Sequence, residues 1–351
     1  MKISNQNKHV STLGLRLWEF TGTAFVNLFV CILLLVYLSP LSYMIVTSLK
    51  TNLELQDSDA PLWPAQPVSY TYLGKIHNVY NVPMPDGSVR QLALIKGGRS
   101  DSDFIDPNNP GIGLIHWEGS WRALPKTYLA GITLDNFIGL WNAIPYMTII
   151  GHTLLVVVIS GIGVVCSSIA VAYGMSRFPI PGGRFLFLLL IATIMIPDSI
   201  LIVPSFVIFS RVLGWFGSYL PLIVPHLFGS AVYIFLLRQK FKSIPRDLDE
   251  AAMLDGAGPL RILVSIILPQ SIPIVTTVIL LHFFNMWNEL RTASLYLGIR
   301  PDLQTIAFTG QNGSGETLHA SIVILLVVPV IMLLASQRFF MQDMIITGTE
   351  K

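Results

Sequence analysis

Five stretches of this chain run without a single Asp, Glu, Lys or Arg for a length that reaches across a bilayer: Phe20 to Leu49, Asn136 to Ser176, Val212 to Leu237, Ile262 to Asn288 and Thr317 to Gln337. A sixth, Phe185 to Ser210, is interrupted only by Asp198. A helix needs roughly 20 consecutive apolar residues to cross the hydrocarbon, and helices are favoured there because they satisfy every backbone N–H and C=O internally. The pattern predicts six spans at about 21–48, 144–173, 185–211, 216–237, 270–290 and 319–338. Composition agrees: 52% of the residues are hydrophobic and 12% charged, against roughly 25% charge in an ordinary soluble domain. The fold class expected is an all-α membrane protein.

Lys and Arg set the orientation. With the N-terminus inside, the inner segments carry Lys2, Lys8, Arg16, Arg177, Arg184, Arg238, Lys240, Lys242, Arg246, Arg261, Arg338 and Lys351. The short outer segments carry only Arg211, Arg291 and Arg300. Long loops translocate largely regardless of charge, so the bias in short loops decides, and both termini are expected in the cytoplasm. The organisation that follows is a cytoplasmic N-terminus (1–20), a first span read as an uncleaved anchor (21–48), an extracytoplasmic loop (49–143), a helical core (144–342) containing a cytoplasmic loop (238–269), and a cytoplasmic tail (343–351). Lipid is the surrounding solvent. A net charge of +2 gives no clustered basic footprint for nucleic acid. The two cysteines, Cys31 and Cys166, lie in apolar runs and read as small buried hydrophobes rather than a disulfide or metal ligands.

Two segments outside the spans are unusual. The outer loop is rich in Pro, Gly, Asn and Asp, and alternates apolar and polar residues from Val79 to Ile95 around Pro85-Asp86-Gly87. Asp-Gly between alternating apolar residues signals a hairpin, so a small β-containing insertion is expected between about 65 and 125, between the first and second spans. In the inner loop, Ser243 is suited to cap a helix, Pro245 to enter its first turn, and Asp247, Asp249 and Glu250 to sit at its positive N-terminal end. Gly256 and Gly258 are suited to end it. A short capped helix on the cytoplasmic face, with alanines that permit close backbone approach, reads as a docking element.

The inner loop also carries a family pattern: Glu250-Ala251-Ala252, then Asp255-Gly256-Ala257, then Ile266, Leu268 and Pro269. With Met175-Ser176-Arg177-Phe178-Pro179, Met195-Ile196-Pro197, Phe235-Leu236-Leu237-Arg238-Gln239, Trp287-Asn288-Glu289 and Gln337-Arg338-Phe339-Phe340, it resembles the permease subunits of binding-protein-dependent ABC importers of the sugar type, in particular the smaller maltose-type permease subunit. The resemblance covers about 130 to 342. It implies the six-helix type I ABC importer permease fold, a second permease completing a heterodimer, two cytoplasmic ABC ATPase subunits and an extracytoplasmic solute-binding protein. It implies carbohydrate transport without catalysis by this chain, with ATP and Mg held by the partner ATPase and no cofactor or metal bound here. It also implies that Glu250, Ala251, Ala252, Asp255, Gly256 and Ala257 couple ATP hydrolysis to transport. The long outer loop and Asp343, where the family commonly has Gly, depart from it.

No Walker phosphate loop exists: neither Lys126-Thr127 nor Lys242-Ser243 follows the required Gly. Asp198 beside Pro197 has two readings. A charge at mid-span costs roughly 2.5–3.5 kcal/mol on insertion scales and so faces protein or water. It is therefore either a pathway residue that hydrogen-bonds solute hydroxyls or a structural partner for a polar group on another span. Trp287, Asn288 and Glu289 form a second pathway candidate, an aromatic face with amide and carboxylate partners, against the plainer reading of an interfacial Trp. His152, His226 and His282 read as interhelical hydrogen-bonders. A permease for a non-sugar solute such as a polyamine or phosphate is the alternative within transport; a membrane-embedded enzyme would need ionisable residues clustered at one depth.

Overall fold

The computed structural model describes residues 12–57, 60–310 and 317–348, which divide into two compact units, Met1–Asn136 and Phe137–Lys351. In the first, α1 (Thr12–Ser48) is apolar on every side, and its large side chains stand exposed, Leu35 by 71%. A helix hydrophobic all round belongs in lipid. Pro40 lies inside α1 and cannot bond to Val36 O; Ser39 Oγ donates to that carbonyl instead, at 2.8 Å.

The chain then makes a short helix, α2 (Asn52–Leu55), and seven strands: β1 (Ala65–Pro67), β2 (Ser69–Tyr72), β3 (Lys75–Pro83), β4 (Val89–Gly97), β5 (Asp101–Ile105), β6 (Leu114–Glu118) and β7 (Tyr128–Ala130). Strands β2 to β6 form an antiparallel meander, and β1 pairs with β7. The hairpin anticipated at Asp86-Gly87 joins β3 to β4; Gly87 has φ +79°, and Asp86 Oδ1 accepts from Ser88 N at 2.9 Å. Period-2 alternation buries Tyr80, Val82, Leu92 and Phe104 on one face and Val79, Ala93 and Ile105 on the other. The strands thus extend to residue 130, a little beyond the expected 65–125, because β7 returns to close on β1. Both ends of the insertion are tied to the end of α1: Asn136 Nδ2 donates to Ser48 O and Lys50 O at 3.0 and 2.8 Å.

The second unit begins within α3 (Asp135–Ala143) and continues through α4 (Tyr146–Arg177), α5 (Gly183–Ile194), α6 (Asp198–Phe206), α7 (Leu220–Ile223), α8 (Ala231–Ser243), α9 (Asp247–Leu254), α10 (Pro259–Ile262), α11 (Ile272–Trp287), α12 (Arg291–Leu297), α13 (Ile306–Gly310) and α14 (Leu318–Gly348). Among the described residues of the whole chain, five helices are long and apolar enough to cross a membrane: Thr21–Ser48, Tyr146–Arg177, Leu220–Ser243, Pro269–Trp287 and Leu318–Phe339. A sixth crossing exists if the bent pair Gly183–Ile194 and Asp198–Val212 counts as one. That pair corrects the expectation of one continuous third span: it turns by 89° at Met195-Ile196-Pro197, where Pro197 disfavours helical backbone before it and supplies no N–H.

Helix α4 is the hub, packed against α8, α11 and the 224–228 segment. Lipid supplies no hydrophobic drive for helices to associate, so small residues and interhelical hydrogen bonds must hold them. Along α4, Gly163 admits Leu227 so closely that a Cβ would lie 3.1 Å from Leu227 Cα. Ser160 Oγ and His282 Nε2 exchange a hydrogen bond at 2.8 Å, Ser168 Oγ accepts from Ser230 N at 3.2 Å, and Thr153 Oγ1 accepts from Ile306 N at 2.9 Å. Cys31 and Cys166 are exposed on the surfaces of their spans rather than buried, since helices apolar all round leave apolar side chains facing outward. The side chain of Asp343 and the chain beyond Gly348, which bear on a tail contact, lie outside the described residues.

Candidate coupling surface and pathway cavity

The inner loop is built differently from the sequence expectation at its start. Helix α8 continues beyond Arg238 to Ser243 because Phe241, fully buried, extends its packed stripe and Lys240 and Lys242 suit its negative C-terminal end. Ser243 is therefore the last residue of α8, its Oγ donating to Lys240 O at 2.8 Å, and does not cap the next helix. Helix α9 starts without a side-chain cap, with Asp247, Asp249 and Glu250 in its first turn.

At the far end Gly256 closes the helix as anticipated, whereas Gly258 does not end it but stands at the start of α10. Gly256 has φ +80°, Gly256 N donates to Met253 O at 3.0 Å and Ala257 N to Ala252 O at 2.9 Å, the paired bonds of a Schellman ending. Beyond the turn, Pro259 O accepts from Tyr173 OH at 2.9 Å.

The sequence candidates divide by face. Ala252 and Ala257 turn inward onto the cluster of Tyr173, Phe241, Ile244 and Ile262, so their small size serves the chain's own packing. Glu250, Ala251, Asp255 and Gly256 face outward. With them stand Met253, Leu260 and Leu254, the last 90% exposed. An apolar patch rimmed by Glu250, Asp255 and Arg261 on a loop outside the spans marks an interaction surface, for protein or membrane. A second missed feature lies beneath α9: Asp249, buried, meets the buried Arg177 Nε at 3.0 Å, while Arg177 Nη2 donates to Ile244 O at 3.1 Å. The sequence placed Arg177 in a motif and Asp249 at a helix end, but carried no signal that they meet.

A cavity of about 320 Å³ lies between α6, the 221–226 segment, the end of α11 and α12. Its polar lining includes Asp198, Ser205, His226, Glu289, Arg291 and Tyr296, set among Leu201, Phe209 and Met286. Asp198 opens α6, where the helix N-terminus favours its charge. Glu289 Oε1 accepts from Thr292 N at 2.8 Å, which caps α12 while the carboxylate faces the cavity. Burial holds the Tyr296 phenol above its ordinary pKa, so it stays a neutral hydroxyl. Asp198 and Glu289 are thus brought together, and the other two pathway candidates are not. Trp287 is 1% exposed, stacks on Phe283 at 5.6 Å and donates Nε1–H to Leu325 O at 3.1 Å. It is a core residue rather than an open aromatic face, since on a span apolar all round the pattern does not reveal which side packs. Asn288 is exposed but does not line the cavity, its Nδ2 donating to Phe284 O at 2.9 Å. His226, missed as a lining residue, lies 5.3 Å from the His282 ring.

Such walls can hold a solute by hydrogen bonds that the carboxylates accept and the hydroxyl and imidazole groups donate or accept. Among the described residues, no group of three or more His, Cys, Asp or Glu is placed to hold a metal ion.

The family model of the binding-protein-dependent transport system inner membrane component matches residues 163–345. The chain belongs to this family. It is 30% identical over 187 residues to the osmoprotective compounds uptake permease protein GgtD of Synechocystis, covering 51% of this chain and 62% of that one. It is 29% identical over 226 residues to the alpha-glucoside transport system permease protein AglG of Rhizobium meliloti, covering 61% and 59%. To the sn-glycerol-3-phosphate transport system permease protein UgpE of Yersinia pestis it is 29% identical over 191 residues, covering 52% and 67%. The chain thus matches only about three fifths of the first two relatives' lengths. Among solved structures, a chain of a bacterial ABC transporter involved in the import of the acidic polysaccharide alginate superposes with a TM-score of 0.62 at 17% identity, covering 93% of this chain and 97% of that one. The permease fold is that of type I ABC importers, with five to six apolar helices and, in this chain, a sizeable β-sheet insertion.

Proposed function

We propose that this chain is one permease subunit of an ATP-driven importer and forms half of the pathway for a sugar or oligosaccharide. An extracytoplasmic binding protein delivers the solute, a second permease completes the pathway as a heterodimer, and two ATPase subunits, holding ATP and Mg, supply the energy. The chain itself performs no catalysis. It crosses the membrane six times with both termini in the cytoplasm. The single observation that carries the reading is the outward face of the loop at α9: an apolar patch of Met253, Leu254 and Leu260, rimmed by charge, within the stretch matched by the family. Relatives of that family include permeases for alpha-glucosides and for sn-glycerol-3-phosphate.

The cavity favours a neutral polyhydroxyl solute over an anion. Its lining holds two carboxylates, Asp198 and Glu289, against one guanidinium, Arg291, and like charge repels an anionic solute in a low-dielectric site. The test is uptake into liposomes carrying this chain with its partner permease, ATPase and binding protein. Neutral oligosaccharides are expected to compete for uptake; competition by glycerol phosphate or a polyamine alone would overturn the sugar assignment.

The Asp198 side chain is exposed and makes no hydrogen bond or ion pair within the described residues, which supports the pathway reading over the structural one. Asp198→Asn is therefore expected to leave the yield of assembled complex unchanged and to weaken half-saturation for the solute by about tenfold, the worth of a hydrogen bond to a charged group. A loss of assembled complex with unchanged kinetics in the remainder would make Asp198 structural.

The orientation has its own test. Single cysteines at Ser88 and Ser100, both exposed in the insertion, with Cys31 and Cys166 removed, are expected to react with an impermeant thiol reagent on intact cells or spheroplasts. Reaction only after lysis would invert the topology.

A further inference from the structure

A second cavity, of about 470 Å³, lies where α4 ends, α5 begins and α8 ends. Three cationic side chains line it, Arg184, Arg238 and Lys242, and no carboxylate does. The Arg238 guanidinium is packed over the Phe187 ring, 3.8 Å from its centroid, and its Nε donates to Met175 O at 3.3 Å. The cation is thereby fixed against an apolar wall. The first turn of α5 borders the same cavity, following Gly182 at φ +67°. A helix start offers N–H groups without intrahelical partners and a positive dipole end. Phe178, Ile180 and Leu188 complete the lining, and α5 also presents Phe185 and Leu189, both exposed.

Three cations lining one cavity without a counter-charge repel one another, and the half-buried Arg238 beside an apolar wall loses hydration. The arrangement is complementary to one ligand chemistry: a phosphate-bearing anion with an apolar body attached. The three cations and the helix start meet the phosphate, and the apolar surface of α5 receives the chain. The cavity also lies at the ends of three candidate spans, at Arg177, Gly183 and Ser243, and span ends are where headgroups are met. Basic pockets between helix ends at this boundary suit anionic lipid headgroups.

We infer that this cavity is a binding site for an anionic phospholipid, held by its phosphate between Arg184, Arg238 and Lys242. The proposal does not depend on which solute is carried, so it stands or falls separately from the sugar assignment.

The test uses the full chain purified with its partner subunits in detergent. Arg184 and Lys242 are exposed, so Arg184→Gln/Lys242→Gln removes charge without disturbing Arg238, which braces Phe187. Native mass spectrometry and lipid extraction are expected to find phosphatidylglycerol retained by the wild-type complex and reduced at least roughly tenfold in the double variant, as two phosphate-facing charges would give. The charge-keeping Arg184→Lys/Lys242→Arg is expected to retain it. Phosphatidylglycerol added to delipidated complex is expected to raise the melting temperature of the wild type and not of the Gln variant, while phosphatidylcholine and inorganic phosphate raise neither. Equal retention in the wild type and the Gln variant would overturn the site. A shift reproduced by inorganic phosphate would assign the cavity to a free anion and overturn the lipid. Cross-linking of Lys242→Cys to a partner subunit in a complex that retains no lipid would make the cavity a protein interface and overturn the proposal equally.

Discussion

Gly256→Val is expected to leave the chain inserted and assembled with its partner permease, yet to lower uptake more than tenfold and to weaken retention of the ATPase. The reason is backbone, not bulk. A Cβ at Gly256 would meet nothing within 4 Å, but the residue sits at φ +80°. A β-branched side chain is a genuine outlier there, and the left-handed conformation costs an L-residue roughly 1–2 kcal/mol. Helix α9 has eight residues, too few to be stable alone, and its ending depends on the two bonds that close around Gly256. Losing them moves Leu254 on one side of the turn and Leu260 on the other, the apolar side chains that stand outermost. Gly256→Asn, which tolerates positive φ, is expected to retain most of the uptake, with Ala between Asn and Val. The measurement is co-purification of the ATPase together with binding-protein-stimulated uptake for the series. Wild-type behaviour of the Val variant, or an order that follows side-chain volume instead of tolerance for positive φ, would sink the assignment.

That ending was legible because the chemistry is local: a glycine follows a run of helix formers, and few other residues close such a turn. The spans were legible for a similar reason, since hydrocarbon imposes length and apolarity on each segment independently. The β3–β4 hairpin was announced by Asp86-Gly87, two residues that carry their own turn geometry. What stayed hidden depends on which residues face each other. Trp287 reads as an interfacial aromatic from its place at the end of an apolar run, yet its ring lies against Phe283 with its N–H on Leu325. A span without a polar face gives no periodic signal for the side that packs. The start of α9 was misread because Ser243 and Pro245 are good start signals in isolation, whereas buried Phe241 carries α8 through to Ser243. Tertiary packing overrode the local preference.

The cavity was partly legible. Asp198 was conspicuous as a charge in an apolar run, and Glu289 belonged to a recognisable tripeptide. They converge because α6, which starts after the 89° break that Pro197 signalled, packs beside the end of α11. His226 and Tyr296 join them from segments that carry no pattern of their own, the short 224–228 turn and α12. The bend makes α6 a half-helix whose N-terminus carries Asp198, so the element that disrupts the span places its charge.

The pairing of Arg177 with Asp249 leads to the second large effect. Both side chains are nearly sealed from solvent, and their contact at 3.0 Å is the only ion pair between α4 and α9 among the described residues. It is not aligned as a hydrogen bond, and Asp249 Oδ1 has no hydrogen-bond partner among the described residues. A buried pair with imperfect hydrogen bonding recovers little more than its own desolvation, whereas removing one member strands the other at a cost of about 3–5 kcal/mol. Arg177→Met is therefore expected to release α9 from the end of α4, with uptake falling by at least tenfold and protease cutting faster between 244 and 258. Asp249→Leu is expected to be milder, because Arg177 keeps its bond to Ile244 O and its long stem can carry the charge toward water. The double variant, Arg177→Met/Asp249→Leu, is expected to recover most of the protease resistance, since two apolar side chains can fill the same space with no charge to strand. Uptake should return with it if the pair acts only by positioning α9. Recovery of protease resistance without recovery of uptake would give the pair a part in transmitting the ATPase's motion beyond holding the helix. Additive losses in the double variant would mean that the two residues do not act on each other.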